Sequence, residues 1–337
     1  MTTKKPPRKL VINEILGAGH FAEVRSGKDP IHGDVAVKIL KRISGETDFS
    51  WKARQNLVLK EGKLQSNATH ENIVRVHYTK THSQIPILVM ELCRGGSLLE
   101  KYETGPLPLP EVRRLLTDAT TGLCTLHSRG MLHRDIKPSN ILIDDSRGRA
   151  KLGDFGLVTD EFILGYASDR GYQDHLALEV FQGKGTSFKT DIWAMGMTAY
   201  RLLHGKAWYD MTVGQARYSI PNGGFAKKLR WLPHIPDSWQ RFVRKSMNDA
   251  PERRFLTAQA MLDGLARLNI TPAWDCTVSN VATWSLEKAD IRHEVQWNLN
   301  HKTPAWSART INLETGKERK LKTTGNLDDL RSYLLGR

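Results

Sequence analysis

The stretch that decides the fold spans residues 131–156 and reads MLHRDIKPSNILIDDSRGRAKLGDFG. Its polar residues form two groups, with Asp135 and Asn140 in the first and Asp154 in the second. Short apolar runs follow Asn140 and precede Asp154, on either side of a turn-rich segment at 144–148, which predicts a hairpin of two short strands. The hairpin would bring Asn140 and Asp154 together, and their side-chain oxygens are hard ligands suited to Mg²⁺.

This stretch resembles the catalytic and metal-binding loops of eukaryotic-type protein kinases, because it contains His-Arg-Asp, Lys137, Asn140 and Asp-Phe-Gly at compatible spacing. The resemblance implies that Asp135 accepts the proton of a substrate hydroxyl group and that Lys137 neutralises the moving phosphoryl group. It also implies that Asn140 and Asp154 hold Mg²⁺, or Mn²⁺ in its place, beside ATP. A chance match in an unrelated hairpin is the weaker alternative.

The composition is that of a folded protein with a basic surface. The 337 residues are 39% hydrophobic, the formal net charge is +14 and the pI is about 9.7. This balance favours acidic substrates, nucleic acid or an anionic surface, although solvated lysines explain it equally well. Three scattered cysteines indicate a reducing compartment. We expect a cytoplasmic protein with no membrane span and no signal peptide, since residues 1–9 are basic but lack an apolar core.

A Gly-x-Gly turn, formed by Gly17 and Gly19, lies between two strand-like runs. These glycines would let the backbone approach a polyphosphate closely. The chain continues after the turn as a strand, so we expect a hairpin lid over phosphates rather than the helix that opens a dinucleotide-binding fold. The kinase resemblance places Phe21 and Val24 over the phosphates and the adenine. Ala22 stands where the kinase pattern has its third glycine.

Lys38 ends a strand-like Val-Ala-Val-Lys run, which matches the kinase strand whose lysine binds the α- and β-phosphates. An ammonium group in an apolar strand needs a carboxylate partner. Glu61 lies in an apolar helical stripe, where a glutamate is out of place unless it points at a cation. We therefore predict a Lys38–Glu61 pair, with Glu46 and Glu71 as competing acids. A long polar loop at 44–55 would precede the helix.

The apolar run ILVMELC at residues 87–93 predicts a buried strand. In the kinase family this segment is the hinge between the two lobes and holds the adenine ring. The resemblance places Met90 behind the adenine and the backbones of Glu91 and Cys93 at its edge. It also assigns Ala36 to the nucleotide pocket.

Two helices are expected to anchor the 131–156 stretch. One begins at Pro110 and ends before Gly130, a position where glycine suits a helix C-cap. The other covers residues 190–204 and is apolar all round, which is typical of a buried helix. Asp191 at its start matches the family's aspartate that holds the backbone of the catalytic loop.

Further along, Ala-Leu-Glu at 177–179 stands where the family has Ala-Pro-Glu. The resemblance pairs Glu179 with Arg254 of a distal Pro-Glu-Arg-Arg motif. The missing proline, and Tyr172 in place of the usual threonine, leave the substrate rules open. Lys137 still points to the serine/threonine class.

Arg134, directly before Asp135, is poorly placed unless an anion meets it. In the family that anion is a phosphorylated residue of the activation segment, bound by charge-assisted hydrogen bonds. Ser168 is the first candidate for this modification. The alternative is an acid already present in the segment, such as Asp169, which would make the enzyme constitutively active.

The kinase resemblance covers residues 8–268, and no family is recognised in the tail at 271–337. Alternating polarity in the tail predicts three strands and a final helix capped by Asn326. The three strands cover residues 291–299, 306–313 and 318–322. Tryptophans and basic residues favour a nucleic-acid face, while a small core with a solvated surface is the plainer alternative. These basic residues are Lys302, Arg309, Arg319, Lys320 and Lys322. So small a domain is expected to dock on the kinase or on a partner.

The whole sequence predicts an α+β chain with the bilobal protein-kinase fold and a small C-terminal domain of β-meander and helix. The basic segment 1–9 would precede a β-rich N-lobe at 10–92, a mainly helical C-lobe at 93–270 and the accessory domain at 271–337. The expected function is ATP- and Mg²⁺-dependent transfer of the γ-phosphate to serine or threonine of a protein substrate. The alternatives are a kinase-like scaffold without phosphoryl transfer, and a kinase recruited to nucleic acid or a partner by its tail.

Overall fold

The computed structural model describes residues 8–19, 22–66, 69–144, 148–154, 173–299, 305–324 and 326–336. These residues form a β-rich N-lobe, a mainly helical C-lobe and a C-terminal sheet, which is the α+β architecture expected of a kinase. Within these ranges, no helix is both long enough and apolar enough to cross a membrane.

The N-lobe is an antiparallel sheet with one long helix. It comprises β1 (Val11–Ala18), β2 (Ala22–Asp29), β3 (Gly33–Leu40), α1 (Asp48–Ser66), β4 (Val76–His82) and β5 (Ile85–Glu91). The strand order is β1-β2-β3-β5-β4. Side chains of a strand alternate between the two faces, and on one face Val35, Val37, Ile87 and Val89 are buried together. This rigid sheet carries the Gly-x-Gly turn at one end and Lys38 on its central strand.

The loop predicted at 44–55 is too long, because helix α1 already begins at Asp48. Arg54 donates to both carboxylate oxygens of Glu46, at 2.9 and 2.7 Å, and both side chains are only 5% exposed. Arg54 also donates to the carbonyl of Lys41 at 2.6 Å. These contacts join the first turns of the helix to the end of β3. The sequence showed no sign of this buried connection, because polar residues usually indicate an exposed loop.

The C-lobe is built around one buried helix. It comprises α2 (Leu98–Thr104), α3 (Leu109–Ser128), β6 (Ile141–Ile143), β7 (Ala150–Leu152), α4 (Leu178–Phe181), α5 (Phe188–Thr212), α6 (Phe225–Lys228), α7 (Asp237–Ser246) and α8 (Ala258–Ala266). Helices α3 and α7 pack against α5, whose residues 190–200 are all buried. The apolar composition of this segment predicted that burial.

Helix α5 extends beyond the predicted end at His204 through a kink at Gly205. The φ angle of Gly205 is +69°, a conformation that favours glycine. A Cβ atom here would lie 2.4 Å from the carbonyl carbon of Gly105, so the packing also demands glycine. Beyond the kink, Trp208 packs beside Trp297 of the C-terminal sheet, with 6.2 Å between the ring centroids.

The C-terminal sheet is an antiparallel meander of five strands followed by a helix. Its elements are β8 (Asp275–Val278), β9 (Val281–Lys288), β10 (Ile291–Asn298), β11 (Ala305–Asn312), β12 (Glu318–Thr324) and α9 (Leu327–Leu334). The prediction of three strands is incomplete, because β8 and β9 extend the sheet. A signal for β9 was present, since fully buried Ala282 and Trp284 alternate with Thr283 and Ser285.

The C-terminal sheet packs on the C-lobe, and the buried residues of both form one continuous hydrophobic core. At this contact the indole N–H of Trp284 donates to Nδ1 of buried His234 at 2.8 Å. Arg331 of α9 donates to Asp237 of α7 at 2.7 Å. The docking expected of so small a tail is therefore made to the kinase lobe itself.

We expect a chain that ends at residue 270 to be insoluble or to unfold far more easily than the full chain. Truncation would expose the C-lobe side of the shared core and leave His234 without its donor. A milder change, Trp284→Ala, should lower the free energy of unfolding by about 3–5 kcal/mol, the usual cost of removing a buried aromatic ring. Urea denaturation measures both effects.

Leu313→Ala is the matched control, because Leu313 follows β11 and is 42% exposed. It should change the free energy of unfolding by less than about 0.5 kcal/mol. A truncated chain as stable as the full chain would contradict the shared core.

Two fully buried histidines near this contact make stability depend on pH. Burial lowers the pKa of His204 to about 3, and burial together with the charge of His204 lowers the pKa of His234 to about 3. In the unfolded chain the pKa of both histidines is near its usual value of about 6.5. Between about pH 3 and pH 6.5 the unfolded state therefore binds more protons than the native state. Their contribution to stability is complete above about pH 6.5 and is lost as the pH falls toward 3.

His234→Gln should therefore reduce the slope of the free energy of unfolding against pH between roughly pH 6 and pH 4. The reduction should correspond to about one bound proton. The measurement is the free energy of unfolding at several pH values in that range. His82→Gln is the control, since His82 is exposed and solvated in both states. An unchanged slope in His234→Gln would show that His234 already carries a proton in the native state.

Candidate active site

The loop predicted to be catalytic, residues 133–140, is held by one carboxylate of helix α5. Asp191 accepts the backbone N–H groups of His133 at 2.9 Å and of Arg134 at 2.8 Å. Its Oδ2 also lies 2.9 Å from Nε2 of His127 in α3. Arg134 has a φ angle of +69°, which is uncommon for a residue other than glycine, and the bonds from Asp191 support that conformation. The structure thus shows the contact that the sequence predicted for Asp191.

Asp135 is oriented by two side chains of the same loop. Nζ of Lys137 lies 2.9 Å from its Oδ2. The amide of Asn140 donates to that oxygen at 2.7 Å and to the Asp135 carbonyl at 2.8 Å. Oδ1 makes no hydrogen bond with the part of the chain that the structure describes. A carboxylate fixed on one oxygen and open on the other is suited to accept a proton.

Strands β6 and β7 form the predicted hairpin, in which Ile141 pairs with Leu152. The Gly153 N–H donates to the Asn140 carbonyl at 2.9 Å, so Asn140 and Asp154 meet at one end of the hairpin. No group of three or more His, Cys, Asp or Glu among the described residues is arranged to hold a metal ion. A cation here would depend on Asn140, Asp154 and oxygen atoms of a bound phosphate.

Lys38 reaches from β3 into the site and meets Asp154, with 2.9 Å between Nζ and Oδ1. Burial alone would raise the pKa of Asp154, but the ammonium group of Lys38, with a smaller effect from Lys137, holds it below its usual value. Asp154 is therefore ionised at neutral pH, which is the form that a carboxylate needs in order to bind a cation.

The predicted partner of Lys38 is Glu61, whose side chain on α1 lies outside the described residues. Both competing acids bind elsewhere. Glu46 forms the buried ion pair with Arg54, and Glu71 bonds an arginine just before β7. The Lys38–Glu61 pair stays a prediction, and the structure adds Asp154 as a carboxylate that meets Lys38.

An apolar wall forms where β3, β5 and the β6–β7 hairpin meet. It contains four of the residues that the resemblance assigned to the nucleotide, namely Val24, Ala36, Met90 and Cys93. Sequence reasoning missed three further members, Val74, Leu92 and Leu142. Leu142 could have been found, because it alternates with buried Ile141 and Ile143 and must face the other side of the hairpin.

The Gly-x-Gly turn leaves space beneath the lid. The Gly19 N–H donates to the Ala22 carbonyl at 2.8 Å, which closes the turn between β1 and β2. A Cβ atom on Gly17 would meet nothing within 4 Å among the described residues, and one on Gly19 would lie 3.5 Å from the Ala22 carbonyl. The chain's own packing does not demand these glycines, so they suit close approach by a ligand. Phe21, expected beside the phosphates, lies outside the described residues.

Glu91 makes a contact that sequence reasoning missed. Its carboxylate accepts hydrogen bonds from Nζ of Lys151 at 2.8 and 3.0 Å and from the Arg75 N–H at 2.8 Å. Lys151 lies on β7, three residues before Asp154, so this ion pair joins the end of β5 to the strand that delivers Asp154. The Glu91 N–H donates to the Arg75 carbonyl at 2.9 Å and is therefore not available to a ligand.

The predicted pair between Glu179 and Arg254 is present. The guanidinium group donates to both carboxylate oxygens, at 2.6 and 2.7 Å, and the Arg254 side chain is fully buried. Arg254 also donates to the carbonyls of Asn248 and Lys189. This network joins α4 to the far side of the C-lobe.

A second ion pair in the same region was not predicted. Asp174 is buried, and one of its oxygens lies 3.7 Å from the guanidinium group of Arg201 in α5. Its other oxygen accepts the Arg217 N–H at 2.9 Å. Asp174 and Glu179 therefore fix both ends of the segment that follows Tyr172. Tyr172 itself, Ser168 and Asp169 lie outside the described residues.

A bilobal fold with the loop at 133–140 and the β6–β7 hairpin at its site is that of a protein kinase. The family model for the protein kinase domain matches residues 10–264, which is most of the chain. The chain therefore belongs to the protein kinase domain family.

The chain is also similar to curated kinases from distant organisms. It is 29% identical over 328 residues to the hormonally up-regulated neu tumor-associated kinase of Mus musculus, covering 92% of this chain and 43% of that protein. It is 30% identical over 281 residues to CBL-interacting protein kinase 25 of Oryza sativa subsp. japonica, covering 77% and 52%. It is 27% identical over 334 residues to serine/threonine-protein kinase PrkC of Bacillus subtilis (strain 168), covering 96% and 49%. The chain thus spans about half the length of these relatives.

Among solved structures, the fold is similar to the crystal structure of Rad53 1-466 in complex with AMP-PNP. The TM-score is 0.59 and the sequence identity 26%, over 76% of this chain and 65% of that chain. This likeness agrees with the β-rich N-lobe and helical C-lobe described above.

Proposed function

We propose that this chain is an ATP-dependent serine/threonine protein kinase, which transfers the γ-phosphate to a hydroxyl group of a protein substrate. The observation that carries the proposal is the oriented Asp135 carboxylate beside Lys137 and Asn140, next to the Lys38–Asp154 pair. The relatives with serine/threonine-kinase names and the similar structure in complex with AMP-PNP support it.

The nucleotide would lie between the two lobes. Its adenine would rest against the apolar wall, with its edge toward the Glu91 carbonyl and the Cys93 backbone, since the Glu91 N–H is already bonded. Its phosphates would lie beneath Gly17 and Gly19 and beside Lys38. The open space around the glycines supports this placement.

Asn140 and Asp154 would hold Mg²⁺. Their side-chain oxygens are hard donors, the Gly153–Asn140 backbone bond brings the two residues to the same end of the hairpin, and Asp154 is ionised, so the residues fit the ion. When bound, the cation neutralises negative charge on the phosphoryl group.

Asp135 would accept the proton of the substrate hydroxyl through Oδ1, because Oδ2 is held by Lys137 and Asn140. Proton removal makes the hydroxyl oxygen a better nucleophile toward phosphorus. The ammonium group of Lys137 would stabilise negative charge at the point of transfer, since it is fixed there before the reaction begins. The position of Lys137, two residues after Asp135, favours serine and threonine as acceptors.

The alternatives have less support. A kinase-like scaffold that binds nucleotide without phosphoryl transfer would not need the Asp135 carboxylate oriented by Lys137 and Asn140. Residues 271–337 carry ten Lys and Arg against eight Asp and Glu, a net charge of only +2. Within the tail, Arg309 is paired with Glu294 at 2.7 Å and with Glu318 at 3.0 Å, which does not favour a nucleic-acid face. Lys302 lies outside the described residues.

Three expectations stay predictions. One is the pair of domain boundaries predicted at residues 92/93 and 270/271. The second boundary would separate the C-lobe from a tail that shares its hydrophobic core. Another is a cytoplasmic location. The third is activation by phosphorylation at Ser168, which the Arg134 guanidinium would bind; in the structure, Nε of Arg134 donates to the Thr186 hydroxyl at 3.2 Å.

Asp135→Asn should reduce phosphate transfer by about 10²–10⁴-fold, because the amide cannot act as a general base. The measurement is transfer from labelled ATP to proteins of a cell extract, followed by mapping of the modified sites, which should be serine and threonine. Asp290→Asn, in an exposed turn of the tail, is the control and should leave the rate unchanged. Equal turnover in Asp135→Asn and the parent chain would reject Asp135 as the base.

Lys38→Met should lower activity by at least about 10²-fold with the fold intact, because it removes the cation expected at the phosphates. Glu61→Gln should also lower activity if it partners Lys38. Glu46→Gln should mainly reduce stability, since it breaks the buried contact with Arg54. Thermal unfolding and ATP-dependent activity separate the two effects. The pairing is wrong if Glu61→Gln is fully active while Glu46→Gln or Glu71→Gln is inactive.

A further inference from the structure

One surface of the C-lobe carries exposed cations on a segment of the chain that contains no acidic residue. Between residues 211 and 236 the sequence contains no Asp or Glu. The side chains of Lys227, Lys228 and Arg230 are exposed there, and none forms an ion pair with the described residues. Arg244 of α7 lies over the ring of Trp231, the residue after Arg230, with its guanidinium carbon 5.7 Å from the ring centre. We call Lys227, Lys228, Arg230 and Arg244 the basic ridge.

The basic ridge begins beside the segment expected to hold the phosphate acceptor. The turn at 216–218 is joined to Asp174 by the N–H of Arg217, at 2.9 Å. The next turn, at 220–222, packs against α4 and leads directly to α6, which carries Lys227 and Lys228. A substrate whose hydroxyl reaches Asp135 would therefore have its flanking residues near the ridge.

The backbone that carries the ridge is attached to the core of the C-lobe. The carbonyl of Arg230 accepts the Tyr200 hydroxyl at 2.6 Å and the Trp208 indole N–H at 3.4 Å. At the other end, Asp249 accepts the Gly224 N–H at 2.6 Å. A cluster of like charges on an anchored backbone creates a local positive field that attracts an anionic partner before contact.

Two carboxylates border the ridge, and both are engaged elsewhere. Asp249 holds the backbone before α6, and Asp237 is bonded to Arg331 of the C-terminal sheet. The tail has a net charge of +2, residues 1–9 carry +4, and the two lobes between them carry +8. The net charge is therefore spread along the chain, and the ridge is distinguished by the local absence of acidic residues between 211 and 236.

We propose that the basic ridge binds an acidic segment of the protein substrate and so selects substrates with acidic residues near the phosphorylated serine or threonine. The inference rests on the proposed kinase function and adds the substrate class. Charge complementarity of this kind raises the association rate and excludes partners of the same charge. A protein is favoured over nucleic acid because the ridge adjoins the segment expected to hold the acceptor.

The test compares serine peptides that carry a glutamate tract on either side of the acceptor with peptides that carry glutamine instead. With the parent chain, the better glutamate peptide should have a KM about ten-fold lower than its glutamine counterpart, and added salt should reduce this difference. The combined variant Lys227→Gln, Lys228→Gln, Arg230→Gln should lose the difference. Its kcat, its KM for ATP and its KM for the glutamine peptides should not change.

The matched control is Lys288→Gln, Lys317→Gln, Arg319→Gln, which removes the same charge from exposed positions of the C-terminal sheet. It should keep the preference for glutamate. The proposal is overturned if the parent chain shows equal KM values for both peptide types, if the ridge variant keeps the preference, or if the control loses it equally.

A binding assay separates this proposal from the kinase proposal. Fluorescence anisotropy with a labelled glutamate peptide and the Asp135→Asn chain needs no turnover. Binding that is lost in the ridge variant supports the ridge even if no peptide is phosphorylated, in which case the kinase proposal alone fails. No binding of the glutamate peptide, or tighter binding of a labelled single-stranded RNA to the ridge, overturns the acidic-protein assignment.

Discussion

The carboxylate of Asp191 is the contact on which the candidate site depends. It lies buried in the first turn of α5 and holds the backbone of His133 and Arg134 directly before Asp135. The positive φ angle of Arg134 is unfavourable for a side chain of this kind, so the loop does not hold its shape by local preference. The hydrophobic core positions α5, and α5 in turn positions Asp135.

Ion pairs between distant segments extend this control to the rest of the site. Glu179–Arg254 and Asp174–Arg201 fix the segment at 173–179, and Glu91–Lys151 joins the hinge strand to the strand before Asp154. Burial of a charged pair costs desolvation energy that its attraction only partly offsets. We infer that these pairs matter chiefly for where they place the segments, and less for net stability.

The C-terminal sheet shows how a tail outside the family match is part of the same folded unit. Trp284 and Trp208 bury large aromatic surfaces at the junction, and His234 accepts the only hydrogen donor of the Trp284 side chain. With one continuous core and a net charge of only +2, the tail contributes structure to the C-lobe. The two lobes at residues 10–270 carry +8 of the chain's net charge of +14, and residues 1–9 carry +4.

The sequence by itself determined the features that depend on local spacing. These are the loop at 133–140, the β6–β7 hairpin and the buried helix that carries Asp191, because short-range motifs and apolar periodicity encode them. The family resemblance also identified the Glu179–Arg254 pair. Only the tertiary structure decided that Lys38 meets Asp154, that Glu91 binds Lys151 and that Trp284 docks on His234. These contacts join residues that are 50 or more positions apart, and no local pattern in the chain records which distant side chains folding brings together.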